Sequence, residues 1–156
     1  MADYERISRE CQFNELGQEA IKVIKAHLDK YELGPILDDA LICVQVKSEK
    51  RQKGLFAGPG PKFTEVALIL TPRWFVQTIK EDMKPIFTRS ALLKDITISD
   101  YEKNPYYQQF PDHGVEVTGH FTDASQSSTS FIGLGTGPAG LKFKEMFFKA
   151  VQDAKK

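Results

Sequence analysis

The chain has 156 residues, 41% apolar and 27% charged, which suits one globular domain with a core of its own. Its 21 basic and 21 acidic side chains cancel, setting aside bulk attraction to nucleic acid and an acidic disordered tail. The longest apolar run, residues 66–70, is far short of the ~20 residues of a spanning helix. The start, Met1-Ala2-Asp3-Tyr4-Glu5, lacks a signal-peptide pattern, and two cysteines, Cys11 and Cys43, make no disulfide framework. A cytoplasmic, reducing setting is expected.

The first third reads as helix. Asn14 is a candidate N-cap, and Leu16, Ala20, Ile21, Val23, Ile24, Leu28 and Tyr31 recur at helical spacing until Gly34-Pro35 stops them. From Asp39 the period becomes two: Ala40, Ile42, Val44 and Val46 alternate with Leu41, Cys43, Gln45 and Lys47, as in a strand. A loop rich in glycine and proline runs to Pro61. Two β-rich runs, 65–71 and 73–80, flank Pro72, and shorter strands are expected over 85–89 and 93–99. A polar and aromatic loop spans 100–113. Residues 114–122 form a strand with Val115, Val117 and Phe121 on one face and Glu116, Thr118 and His120 on the other. After a serine-rich link, 129–134 is the last strand, and Leu141, Phe143, Met146, Phe147, Ala150, Val151 and Ala154 mark an amphipathic C-terminal helix.

Seven strands in hairpin succession pair antiparallel, because parallel pairing needs long crossovers, and such a sheet tends to curl. The order of seven antiparallel strands and one C-terminal helix resembles the pleckstrin-homology-like (PH-like) barrel, particularly its bacterial members. The stretches Ala67-Leu-Ile-Leu-Thr-Pro-Arg-Trp-Phe-Val76 and Leu93-Lys-Asp-Ile-Thr-Ile-Ser-Asp-Tyr101 carry the likeness. The expected fold is therefore mainly β: an antiparallel seven-stranded barrel over 39–156 capped by a C-terminal helix, with residues 1–38 an added helical extension. Many eukaryotic members keep a tryptophan on that last helix; here the sole tryptophan is Trp74, on a strand.

The resemblance implies a noncatalytic binding module for a protein or peptide partner or an anionic lipid headgroup. Headgroup-binding members carry basic residues between their first two strands, where this chain has Lys47, Lys50, Arg51, Lys53 and Lys62. They also place a basic residue on the second strand, where this chain has Thr64 and Glu65. Each cation near an anionic surface contributes about 1 kcal/mol, against the alternative of a loop kept solvated by its lysines. The aromatic loop offers Tyr106, Tyr107 and Phe110 to a partner, although Tyr106 and Phe110 are expected first to fold back over the core. The apolar stripe of the first helix must be covered by the rest of the chain or by a second copy.

Gly135-Thr-Gly137-Pro-Ala-Gly140 spells G-x-G-x-x-G between a strand and a helix. With sixteen residues remaining, no second strand or ribose-binding acid can follow, so the glycines are expected to turn the chain, with at most an anion at the helix start. An enzyme site would have to gather His113, His120 and nearby acids. Glu116 and His120 share a strand face but lie about 13 Å apart, too far for one metal. No catalytic or metal motif and no cofactor are implied.

Overall fold

The computed structural model describes residues 2–52, 54 and 58–156. Among these residues, eight strands and two helices alternate with short 3-10 turns: β1 (Tyr4–Glu10), α1 (Gln18–Lys30), β2 (Ile42–Lys50), β3 (Phe63–Leu70), β4 (Trp74–Glu81), β5 (Phe87–Leu92), β6 (Ile96–Asp100), β7 (Gly114–Gly119), β8 (Ser128–Gly133) and α2 (Pro138–Ala154). All pairings are antiparallel. β1 to β5 form one sheet in chain order, β6 to β8 a second.

The middle of the first sheet, from β2 to β4, is covered on both faces. On one, Val44, Val46, Leu68, Leu70 and Phe75 meet Val115, Val117 and Ile132 of the second sheet and Phe143 and Phe147 of α2. Phe75 stacks on Phe147 with ring centroids 4.8 Å apart. On the other face, Cys43, Ala67, Ile69 and Val76 meet Ile24 and Leu28 of α1. This double cover explains why β2 buries five consecutive residues, Ile42 to Val46, where alternation predicted one apolar face. It also places the apolar stripe of α1 against its own chain.

Four expectations change. The first 38 residues are not helix alone, because Tyr4–Glu10 pairs with β2 as the edge of the first sheet, from Tyr4↔Lys50 to Glu10↔Val44. Its YERISRE sequence has few apolar residues, since an edge strand is held by backbone pairing and carries charge outward. Asn14 lies inside a 3-10 turn, Phe13–Glu15, and Gly17 is the residue that caps α1. Residues 93–99 divide into a 3-10 turn, Leu93–Asp95, and β6. The sheets number two and do not close: among the described residues no ladder joins them, and the Thr122 amide bonded to the Ser90 carbonyl at 2.8 Å bridges them at one corner. No described helix is long and apolar enough to cross a membrane.

Candidate binding pocket

β1 brings Arg6 against the second sheet. Its guanidinium forks onto the Asp112 carboxylate, Nε to Oδ1 at 3.0 Å and Nη2 to Oδ2 at 2.7 Å, while Nη1 donates to Ser48 Oγ at 2.8 Å. The ion pair is mostly shielded, with side chains 14% and 16% exposed. The same guanidinium carbon lies 5.0 Å from the Tyr4 ring centre and 5.5 Å from that of Phe131.

Above this pair, the segment after β6 folds into two 3-10 turns, Tyr101–Lys103 and Pro105–Gln108. Their starts are capped by side chains: Asp100 accepts from the Glu102 amide at 3.0 Å and Asn104 from the Tyr106 amide at 2.8 Å. The Asn104 side-chain amide donates to Glu116 of β7, and the Tyr101 hydroxyl donates to the Phe110 carbonyl. Glu116 stands opposite Phe131 in the β7–β8 register, so both face the turns, where Tyr101 meets Phe131 edge-on at 4.8 Å. Between β1, the turns and the second sheet lies a pocket of about 550 Å³ whose lining includes Arg6, Tyr101, Tyr106, Phe110, Glu116 and Phe131. Asp3 and Tyr4 of the N-terminus complete one wall.

Its lining holds three carboxylates, Asp3, Asp112 and Glu116, and one guanidinium, Arg6. Burial, and after it the carboxylates of Asp112 and Glu116, push the Tyr101 phenol above its ordinary 10.0. The Tyr4 phenol is also raised, by burial first, with Arg6 opposing and Asp3 adding to the rise.

Tyr106 and Phe110 do not cover the core: they are 65% and 57% exposed at the mouth of this pocket. The turns lie on the face of the second sheet that carries Glu116 and Phe131, whereas Val115, Val117 and Ile132 point the other way into the core, so the sheet itself stands between the loop aromatics and that core. Tyr107 is half-buried between Tyr101 and His113, with ring centroids 6.2 Å from each.

Of the basic residues, Lys50 and Lys62 are neighbours through the Lys50 amide, which donates to the Lys62 carbonyl at 2.9 Å, but the Lys50 side chain turns inward. Lys50 is 5% exposed, and its ammonium donates to the carbonyls of Gly58 at 3.0 Å, Pro59, and Gly60 at 3.4 Å. Lys47, Arg51 and Lys62 are exposed, Lys47 lying between Ile7 and Glu65 in the sheet register. Lys53 lies outside the described residues.

His113 and His120 stay apart, at opposite ends of β7 and about 20 Å from each other at strand spacing. His113 Nδ1 is 2.8 Å from Glu102 Oε1, while His120 is exposed. Among the described residues no group of three His, Cys, Asp or Glu side chains is placed to hold a metal ion.

Two arrangements escape local sequence patterns. His27 of α1 is buried and hydrogen-bonds Ser90 Oγ at 2.8 Å, and Ser90 shares its hydroxyl with Thr122 Oγ1 at 2.8 Å. Ser90 is 0% exposed, so this His–Ser contact pins α1 to β5 and offers no nucleophile. Cys11 and Cys43 bring their sulfurs to 3.6 Å as free thiols, because continuing the β1–β2 register by one residue sets them opposite each other.

The glycine motif is a packing device. Gly135 takes φ +71°, and a Cβ on Gly140 would stand 2.2 Å from the Leu134 carbonyl oxygen. The start of α2 is occupied from within: the Gly140 amide donates to Ser8 Oγ of β1 at 2.9 Å.

Comparison of the chain with protein-family models, curated proteins and solved structures gives no match.

Proposed function

We propose that this chain is a noncatalytic binding module of PH-like type, and that a protein partner docks at the pocket between β1, the 101–108 turns and the second sheet. The fold part rests on strand order: β2 to β5, then β6 to β8, then α2 follow the PH-like sequence of elements, with β1 and α1 added in front. Fold alone names no ligand. The observation that carries the function is the pocket itself, about 550 Å³, with exposed Tyr106 and Phe110 at its mouth and a locked Arg6–Asp112 pair in its wall.

A protein partner is favoured over an anionic headgroup. Lys50, central to the basic stretch, already spends its ammonium on three carbonyls. The pocket carries carboxylates that repel an anion. Free thiols in contact at 3.6 Å fit a reducing, intracellular setting.

The test pairs two measurements on the intact chain. Anionic vesicles of phosphatidylserine and phosphatidylcholine should fail to sediment it at physiological salt. A titration with short blocked peptides, followed by amide chemical shifts, should move residues 101–112 and Glu116. Vesicle binding lost on replacing Lys47, Arg51 and Lys62 by Gln would overturn the choice of partner.

A further inference from the structure

We propose that the pocket takes a basic side chain, arginine before lysine, presented by a partner polypeptide; the inference rests on the binding-module reading above. The charge inventory points there. Among the described residues Arg6 is the one cation lining the pocket, and both arms of its fork are engaged by Asp112. Its remaining Nη1 is taken by Ser48. Among the described residues no ion pair engages the carboxylates of Asp3 and Glu116, Glu116 accepting from the neutral amide of Asn104. An anion entering here would meet a lining in which carboxylates outnumber cations three to one, and a neutral apolar group would strip water from Glu116 with nothing in return.

The rings favour the same guest. Tyr4 and Phe131 already have the Arg6 guanidinium near their faces. Lys50 Nζ also lies 6.0 Å from the Tyr4 ring. Tyr101, Tyr106 and Phe110 carry no such cation among the described residues, and Tyr106 and Phe110 are exposed to solvent. An arginine side chain lays its methylenes and planar head along such rings while its fork meets a carboxylate; an ammonium gains less from either. The mouth, edged by two large exposed rings, offers contact area to chain on both sides of the guest residue, which a free amine cannot use.

The experiment titrates the isotope-labelled full chain with three blocked heptapeptides, Gly-Gly-Ser-Xaa-Ser-Gly-Gly, where Xaa is Arg, Leu or Glu, and with blocked arginine alone. The Arg peptide should shift Tyr101–Asp112 and Glu116 with an affinity about tenfold above the Leu peptide, and the Glu peptide should not bind. Glu116→Gln, which keeps the acceptor for Asn104, should remove most of the Arg-over-Leu preference; so should raising the salt. Equal or better binding of the Leu or Glu peptide overturns the basic guest and leaves the binding module standing. Blocked arginine binding as well as the heptapeptide overturns the polypeptide source. If no peptide shifts the pocket amides, the binding-module reading itself falls.

Discussion

Arg6 and Asp112, 106 residues apart in the chain, meet through two parallel hydrogen bonds of 3.0 and 2.7 Å and so tie the first strand to the approach of β7. Neither side chain is far from water, but at 14% and 16% exposure both lose most of their hydration, and each would be left costly without the other. Asp112→Asn and Arg6→Lys should each lower stability in urea by about 1–3 kcal/mol, the lysine because a point charge cannot reproduce the fork. In a double-mutant cycle with Arg6→Met and Asp112→Leu, the coupling should be about 1 kcal/mol or more. Additive losses would mean that the contact contributes nothing beyond its two residues taken singly.

This pair also marks where sequence patterns stop informing. The alternation of Ile42, Val44 and Val46 and the stripe of Phe143, Phe147, Ala150 and Val151 are legible because a buried face leaves a period in the chain. Tyr4–Glu10 leaves none, since an edge strand needs only its backbone groups for pairing. Everything built on that strand is hidden with it: the Arg6 fork, the contact between Cys11 and Cys43, and the wall of the pocket. The exposure of Tyr106 and Phe110 is hidden for another reason. Aromatic residues in a loop look alike whether they close a core or edge a pocket, and the choice depends on which face of the β6–β8 sheet the loop folds against.

His27 gives stability a pH dependence. Burial is the main cause holding its imidazole below the ordinary 6.5; Lys30 acts the same way and Asp123 opposes both. The folded state therefore prefers the neutral ring, and the unfolded chain takes up the proton first as pH falls. Stability should be complete above about pH 7 and should decline from about pH 6.5 downward, toward the lower folded-state value. His27→Gln should flatten the change in melting temperature between about pH 7.5 and 5.5 relative to the unaltered chain. An unchanged slope would mean that His27 titrates alike in both states.

The two thiols should be slow to react. Cys11 and Cys43 are 8% and 7% exposed, and burial, with Cys11 adjacent, pushes the Cys43 thiol far up, so almost none of it is thiolate near neutrality. Iodoacetamide at about pH 8 should label the native protein at least ~100-fold more slowly than the urea-unfolded chain, with Cys43 the slower of the two when peptides are mapped by mass. Labelling of native Cys43 at the unfolded rate would contradict its packing between β1 and β3.

The start of α2 is built for contact with β1, and small changes there should be costly. Gly137, at the N-cap, has no side chain to offer, so Ser8 reaches from β1 and accepts from the Gly140 amide at 2.9 Å. Ser8→Ala should lower stability by about 0.5–2 kcal/mol, the range of a lost cap. Gly140→Ala should cost more, because its new methyl would stand 2.2 Å from the Leu134 carbonyl oxygen, a backbone atom that moves only with the strand end. Gly17, capping α1, meets no atom within 4 Å and serves as the control: Gly17→Ala should fall far short of Gly140→Ala in its effect on the urea midpoint. Equal losses at the two glycines would show that helix capping alone governs both ends. A loss confined to Gly140 and Ser8 would instead tie α2 to the edge strand that also carries Arg6, so the same substitutions should weaken peptide binding at the pocket through the displacement of β1.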